Sequence, residues 1–284
     1  MRFRSAFRSA RWPAASLVML SAGWGCAGPR SKAAPAPQVE TASEATAGRE
    51  ASAQTNPVAF IRSAHARAAA LSQYSIVLVR SERRGLLKQF KGPERIQCWF
   101  RRAPFSVRMK WLEQDVKYGE CVFVLGQHDD RVRFVPRNGF LGLPPSVVAV
   151  DVQTPVVWGE ARNPLTDFGL EKMLERTLRS IETAGEELAI TYHGIVSLDD
   201  DAPRAHHLTL IYPPEKFPQN IQELFIDPET MLPLATRILN SDGRLDASYR
   251  YTQLDTTVRL SDDDFVLDAE RTPPDDQRAE NTSQ

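Results

Sequence analysis

Residues 244–252, "RLDASYRYT", alternate strictly, with Leu245, Ala247, Tyr249 and Tyr251 on one face and Asp246, Ser248, Arg250 and Thr252 on the other. A period of two is the pattern of a strand with one face on a core and one in water. Apolar or alternating runs at 74–79, 95–102, 105–111, 119–125, 131–136, 147–152, 187–196, 205–212, 222–227 and 233–239 read as further strands. Several are separated by turn chemistry: "LDDDAP", "IDPETMLP" and "NSDGR", the last with an Asp-Gly pair that favours a tight hairpin. Strands joined in order by short turns make an antiparallel sheet, and one with this many strands curls and encloses something.

Helical periodicity interrupts this pattern twice, each time after Asn-Pro: Asn56-Pro57 and Asn163-Pro164. There Asn caps free amides and Pro suits the first helical position. In the second helix Leu170, Leu174, Leu178 and Ile181 form a stripe, with Glu171, Lys172, Glu175, Arg176 and Arg179 turned outward. The stripe is expected on the concave face of the sheet. Whether helix and sheet seal one filled core or leave room for a ligand stays open on pattern alone. The segment "NGFLGLPP", with Phe140 and Leu141, is apolar without being regular, and reads as a lid or as cover for a sheet edge. The fold class expected is α+β, a curved antiparallel sheet packed over a few helices, in one domain spanning 57–268 with a disordered tail at 269–284.

The N-terminus is different in kind. Arg2, Arg4, Arg8 and Arg11 precede an apolar run, Ala14 to Gly25, that is too short for the roughly 20 residues of a spanning helix. A basic segment and a short apolar one form an export signal, here 1–25. Cleavage before Cys26 would make that cysteine an acylated anchor; an ordinary secretory cut would leave it absent or as a spare thiol. Residues 27–56 hold almost no large apolar side chain, so 26–56 reads as anchor and disordered tether. Without 1–25 the chain carries 31 basic and 36 acidic residues, which argues against nucleic acid and against electrostatic attachment to anionic lipid.

His65, His128, His193, His206 and His207 have no metal-site spacing, and no nucleophile elbow, phosphate loop or dinucleotide fingerprint occurs. Cys98 and Cys121 fall in strands and read as buried thiols; the triplets Asp199–Asp201 and Asp262–Asp264 read as turns. No metal, no cofactor and no enzymatic activity are expected.

Three stretches carry a resemblance: "CWFRRAPFSVRMKWLEQ" with the "YGECVFVLGQHDDRVRFVPR" that follows, "NPLTDFGLEKMLERTLRSI", and 224–268 with its strand, Leu-Pro, Gly turn, aromatic strand and closing Leu and Phe. Over about 57–268 they resemble lipoprotein-localisation carriers of the LolA and LolB type. They are more similar to a bacterial family of uncharacterised exported proteins, a domain of unknown function with "YSIVLVRSER", "PFSVRMKWL" and "DFGL" in the same order. The resemblance implies an incomplete, LolA-like barrel over helices, with an apolar cavity for acyl chains. Matched motifs carry over Arg102, Pro104, Arg108 and Trp111, with Arg108 as counterpart of the arginine that holds a helical lid closed; the alternative for Arg108 is a solvent-facing strand residue. With Phe140, Leu141, Leu170 and Leu174, these are the cavity or lid candidates. Cys26 makes the chain more like an anchored acceptor, and Ala27 and Gly28 after it resemble outer-membrane sorting. The expectation is a non-enzymatic protein on the periplasmic face of the cell envelope, held to the membrane by N-terminal acyl chains, that binds a lipid, lipoprotein or other apolar ligand. The alternative is an envelope structural or protein-interaction module whose core is filled.

Overall fold

Each apolar alternation named above becomes a strand. In the computed structural model, which describes residues 42–85, 87–138, 145–198 and 203–271, the strands are β1 Gln73–Arg84, β2 Gln89–Arg101, β3 Ser106–Trp111, β4 Tyr118–Val124, β5 Val132–Pro136, β6 Val148–Val150, β7 Ala189–Ser197, β8 Arg204–Ile211, β9 Ile221–Ile226, β10 Pro233–Leu239 and β11 Leu245–Asp255. They form one antiparallel sheet of 11 strands in the order β6-β5-β4-β3-β2-β1-β11-β10-β9-β8-β7. Sequential neighbours pair throughout, except at the centre, where β1 meets β11. The ends stay open at β6 and β7, so the barrel is incomplete. Four α-helices are present among the described residues: α1 Ala42–Thr55, α2 Pro57–Ala69, α3 Thr154–Val157 and α4 Leu170–Ala184. None is long and apolar enough to cross a membrane.

Period two and the antiparallel register build one continuous apolar face. Ile76, Cys98, Met109, Cys121 and Phe134 stand opposite one another across β1 to β5, and Leu78, Ile96 and Trp111 form the next row. Onto this face pack α2, through Phe60, Ile61, Ala64 and Ala68, and α4, through Leu170, Leu174 and Ile181. Asn56 caps α2 as expected, its side chain accepting from Ala59 N at 3.0 Å.

Three expectations are corrected. The end of the expected tether is helix α1, because Ala, Glu, Arg and Gln favour helix and the helix has a tertiary partner: Ala53 is fully buried, and Arg49 donates to the Pro228 and Glu229 carbonyls at 2.6 and 2.9 Å. Asn163-Pro164 does not start α4. A single 3-10 turn, Leu165–Asp167, follows it, and α4 begins after Gly169 at φ 132°. A Cβ there would lie 3.4 Å from both Tyr74 Oη and Phe100, so glycine fits both the conformation and the space. Residues 269 and 270, expected in the tail, belong to a short 3-10 turn, Asp268–Glu270, in which Glu270 pairs with Arg133; residues 272–284 lie outside the described residues. Cys26 lies outside the described residues.

Candidate functional site

Along β1 the side chains that share the concave face are Tyr74, Ile76, Leu78, Arg80 and Glu82, all of which line a cavity. At about 6.7 Å between alternate residues they span roughly 27 Å and change from apolar to ionic. The cavity, of about 370 Å³, has the rows of β1, β3, β4 and β5 as floor, Ile238, Tyr249 and Tyr251 as one wall, and Leu165, Phe168, Leu170 and Met173 as roof. Trp158 lines it while 47% exposed, which marks where the cavity meets the surface.

The apolar end is held by its own hydrogen bond. Tyr74 Oη accepts from Leu170 N at 3.0 Å, satisfying one of the free amides at the start of α4. Burial pushes the Tyr74 phenol well above its ordinary value, and pushes Tyr251 up to about 12. Both rings stay neutral and present an apolar surface to the cavity.

The other end is a buried ionic network. Arg80 reaches Glu82 at 3.2 Å and Glu94 at 2.8 Å, Arg84 reaches Glu94 at 2.6 Å, and Tyr249 Oη donates to Glu82 at 2.5 Å. Arg162, on the segment before α4, pairs with Asp246, which also has Arg83 at 3.5 Å. Glu82 is 1% exposed, yet its Oε1 and the Nε atoms of Arg80 and Arg84 make no hydrogen bond. Desolvation works against charge at Glu94, but Arg80 and Arg84 hold its carboxyl below the ordinary value. For Arg80, burial opposes the charge and Glu82 and Glu94 outweigh it, so its pKa rises.

The expected site residues separate. Trp111 and Leu170 line the cavity. Leu174, fully buried, packs in the core beside it. Arg102 leaves the β2–β3 turn to pair with Glu171 of α4 and donates to the Leu71 carbonyl at 3.1 Å, so it ties that turn to α4 and to the end of α2. Arg108 does not hold a helix: one position from Val107 and Met109, it points to the opposite face of the sheet. There it lies over Trp99, meets Glu120 at 2.5 Å and Asp268 at 2.7 Å, and fastens the C-terminal segment. Nor is Arg176 turned wholly outward; it lines the cavity and donates to the Asp167 carbonyl at 2.7 Å. Phe140 and Leu141 lie outside the described residues. No group of three metal-type side chains occurs among the described residues. No motif marks the ionic end, although Arg80 and Glu82 keep the parity of Tyr74, Ile76 and Leu78 and are legible from it as cavity-facing.

The domain family DUF1571, "protein of unknown function", matches residues 71–272. The chain belongs to this family. No curated protein matches it. Among solved structures, this DUF1571 chain is similar to MucB, with 18% identity and a TM-score of 0.46, over 76% of this chain and 64% of MucB. It thus spans under two thirds of MucB's length. The Pseudomonas aeruginosa MucA/MucB complex matches at 18% identity and TM-score 0.43, over 77% of this chain and 67% of that one. The Mycobacterium tuberculosis lipoprotein LppX matches at 11% identity and TM-score 0.43, over 73% of this chain and all of LppX, 100%.

Proposed function

We propose that this DUF1571 chain is a non-enzymatic binder of an amphipathic, lipid-like ligand, exported and anchored through Cys26 at the periplasmic face of the cell envelope. The cavity of about 370 Å³ carries the reading. Its volume lies in the roughly 300–1,000 Å³ range of small-molecule sites, which are mostly apolar with a few placed polar groups. A filled core, the alternative, would leave no such space. The rows Ile76 to Phe134 and Leu78 to Trp111 would receive hydrocarbon, each buried methylene contributing roughly 0.8 kcal/mol. Arg80, Glu82 and Arg162 would meet a polar head. Retention of this kind needs shape and dryness rather than a reactive group, in keeping with the neutral, buried phenols of Tyr74 and Tyr251.

The test compares the full chain with Ser180→Phe, a substitution that places a ring into the space from α4. Organic extracts of both purified proteins are analysed by mass spectrometry, before and after incubation with phospholipid vesicles. The expected result is a near-stoichiometric amphiphile on the wild type and at least about tenfold less on Ser180→Phe, with equal far-UV spectra. Equal retention by the two, or none by the wild type after incubation, overturns the proposal.

A further inference from the structure

The β1–β2 hairpin turn and α3 form one surface edge. Gly85 N donates to the Gly159 carbonyl at 2.8 Å, and a Cβ on Gly159 would stand 3.4 Å from the Gly85 backbone, so the end of α3 lies against the turn. Of the nine large apolar side chains exposed among the described residues, four gather on these two elements: Leu87 (81%), Phe90 (42%), Val157 (77%) and Trp158 (47%). By register Phe90 stands opposite Arg83, on the hairpin face away from Glu82 and the cavity, so the four flank this end of the molecule from both faces of the hairpin; apolar side chains exposed together at one end of a folded chain mark an interaction site.

Charge indicates the partner. From 83 to 93, "RRGLLKQFKGP" holds four cations and no acid, and of these Lys88 and Lys91 are exposed. The Lys91 ammonium sits beside Gly85, at the junction with α3. The balance of the whole chain, which argues against electrostatic attachment, averages away this local excess. Apolar side chains with a tryptophan among them, beside two exposed lysines, match the boundary between acyl chains and anionic headgroups, where a lysine can lay its stem on apolar surface and keep its ammonium in water.

We infer that the β1–β2 hairpin and α3 dock on a bilayer containing anionic lipid, inserting Leu87, Phe90, Val157 and Trp158 and setting Lys88 and Lys91 among the headgroups. Trp158 belongs to both the docked edge and the cavity wall, so the cavity opens at the membrane and its ionic end lies towards the headgroups. Docking depends on the surface alone and holds whatever the cavity contains.

The experiment is vesicle co-sedimentation of the full chain carrying Cys26→Ser, which removes any acyl anchor. Phosphatidylglycerol/phosphatidylethanolamine vesicles are compared with phosphatidylcholine vesicles at about 0.1 M salt, where surface charges act over about 10 Å. Expected is binding to the anionic vesicles at least tenfold above phosphatidylcholine. Leu87→Ser with Phe90→Ser and Val157→Ser should lose at least tenfold, Lys88→Glu with Lys91→Glu should lose the anionic preference, and Ser180→Phe should bind like its parent. Absence of binding to either vesicle, or undiminished binding by both surface variants, overturns the inference. Loss by Ser180→Phe does so too, since it would make binding a matter of the cavity. A closed cavity with intact docking would instead count against the ligand reading alone.

Discussion

Cys98 and Cys121 show how much one register position decides. They stand in a single row on either side of Met109, two strands apart. At about 4.8 Å per strand that is roughly 9.6 Å, beyond the ~7 Å that a disulfide spans between Cα atoms. Both are free and buried, as their strand positions suggested, and burial pushes the Cys98 thiol up strongly and Cys121 up to about 12. At pH 8 only about one Cys121 in 10⁴ is thiolate, so the folded chain should not react with a thiol reagent that labels both cysteines in denaturant. Linkage follows with a definite sign. A thiol whose folded pKa is raised contributes stability that is complete below its ordinary value of 9.0 and is lost as pH rises towards 12. Between pH 8 and 10 Cys121 alone should cost about 1.4 kcal/mol of unfolding free energy. Urea titrations at the two pH values measure it, and Cys121→Ala should reduce the loss. Cys98 adds a share like that of Cys121, and each tyrosine pushed above its ordinary 10.0 adds about 0.4 kcal/mol by pH 10, so the diagnostic quantity is the difference in slope between Cys121→Ala and the wild type rather than the slope itself. An unchanged slope in Cys121→Ala would mean that this thiol is reached by water.

At the scale of elements, α4 does two jobs with adjacent residues. Leu174 is fully buried in the core, whereas Met173, one position earlier, lines the cavity. Leu174→Ala should cost about 2–5 kcal/mol. Met173→Ala should cost clearly less, since it enlarges a space that already exists rather than opening one in packed core. Urea midpoints of the two variants decide, and equal costs would mean that Met173 is packed as tightly as the core. The α4 stripe was readable from its period, and the strands from theirs, because burial on one face leaves its mark every second or every 3.6 residues. Helix α1 left no such mark. Its composition is polar and Ala-rich, and it is ordered by Ala53 and by Arg49 reaching carbonyls some 180 residues away. The start of α4 was misplaced for a similar reason: its cap is the hydroxyl of Tyr74, 96 residues upstream, not the neighbouring Asn163. Parity also corrects Arg108, whose odd-even position in β3 is enough to place it opposite Met109's face, even though a family motif pointed to the helices.

In the whole molecule, the ionic end of the cavity joins β1, β2, β11 and the segment before α4; the strands were each legible from their period, but their meeting at Arg80 and Glu82 is set by register and by the roof segment, which leave no local pattern. Glu94 and Tyr249 reach Arg80 and Glu82 through the β1–β2 and β1–β11 registers, and Arg162 arrives from the connection that roofs the cavity. Buried ion pairs seldom improve on an apolar core of the same shape, yet removing one member strands the others. Glu82→Leu should therefore cost about 3–5 kcal/mol, because Arg80 and the Tyr249 hydroxyl lose an acceptor that is 1% exposed. Arg80→Met, Glu82→Leu and Tyr249→Phe together should recover most of that loss, Glu94 keeping Arg84 at 2.6 Å. A network that stability does not require needs another reason to be there, and recognition of a polar head supplies one. Displacement of a fluorescent fatty-acid probe by lauric acid and by dodecanol measures this, since the two share a chain length and differ in the head. The wild type should favour the acid by roughly tenfold, a difference of about 1.4 kcal/mol, and the triple variant should hold both alike. If the folded triple variant keeps the wild-type ratio, the arginines are structural and the cavity selects its ligand by hydrocarbon alone.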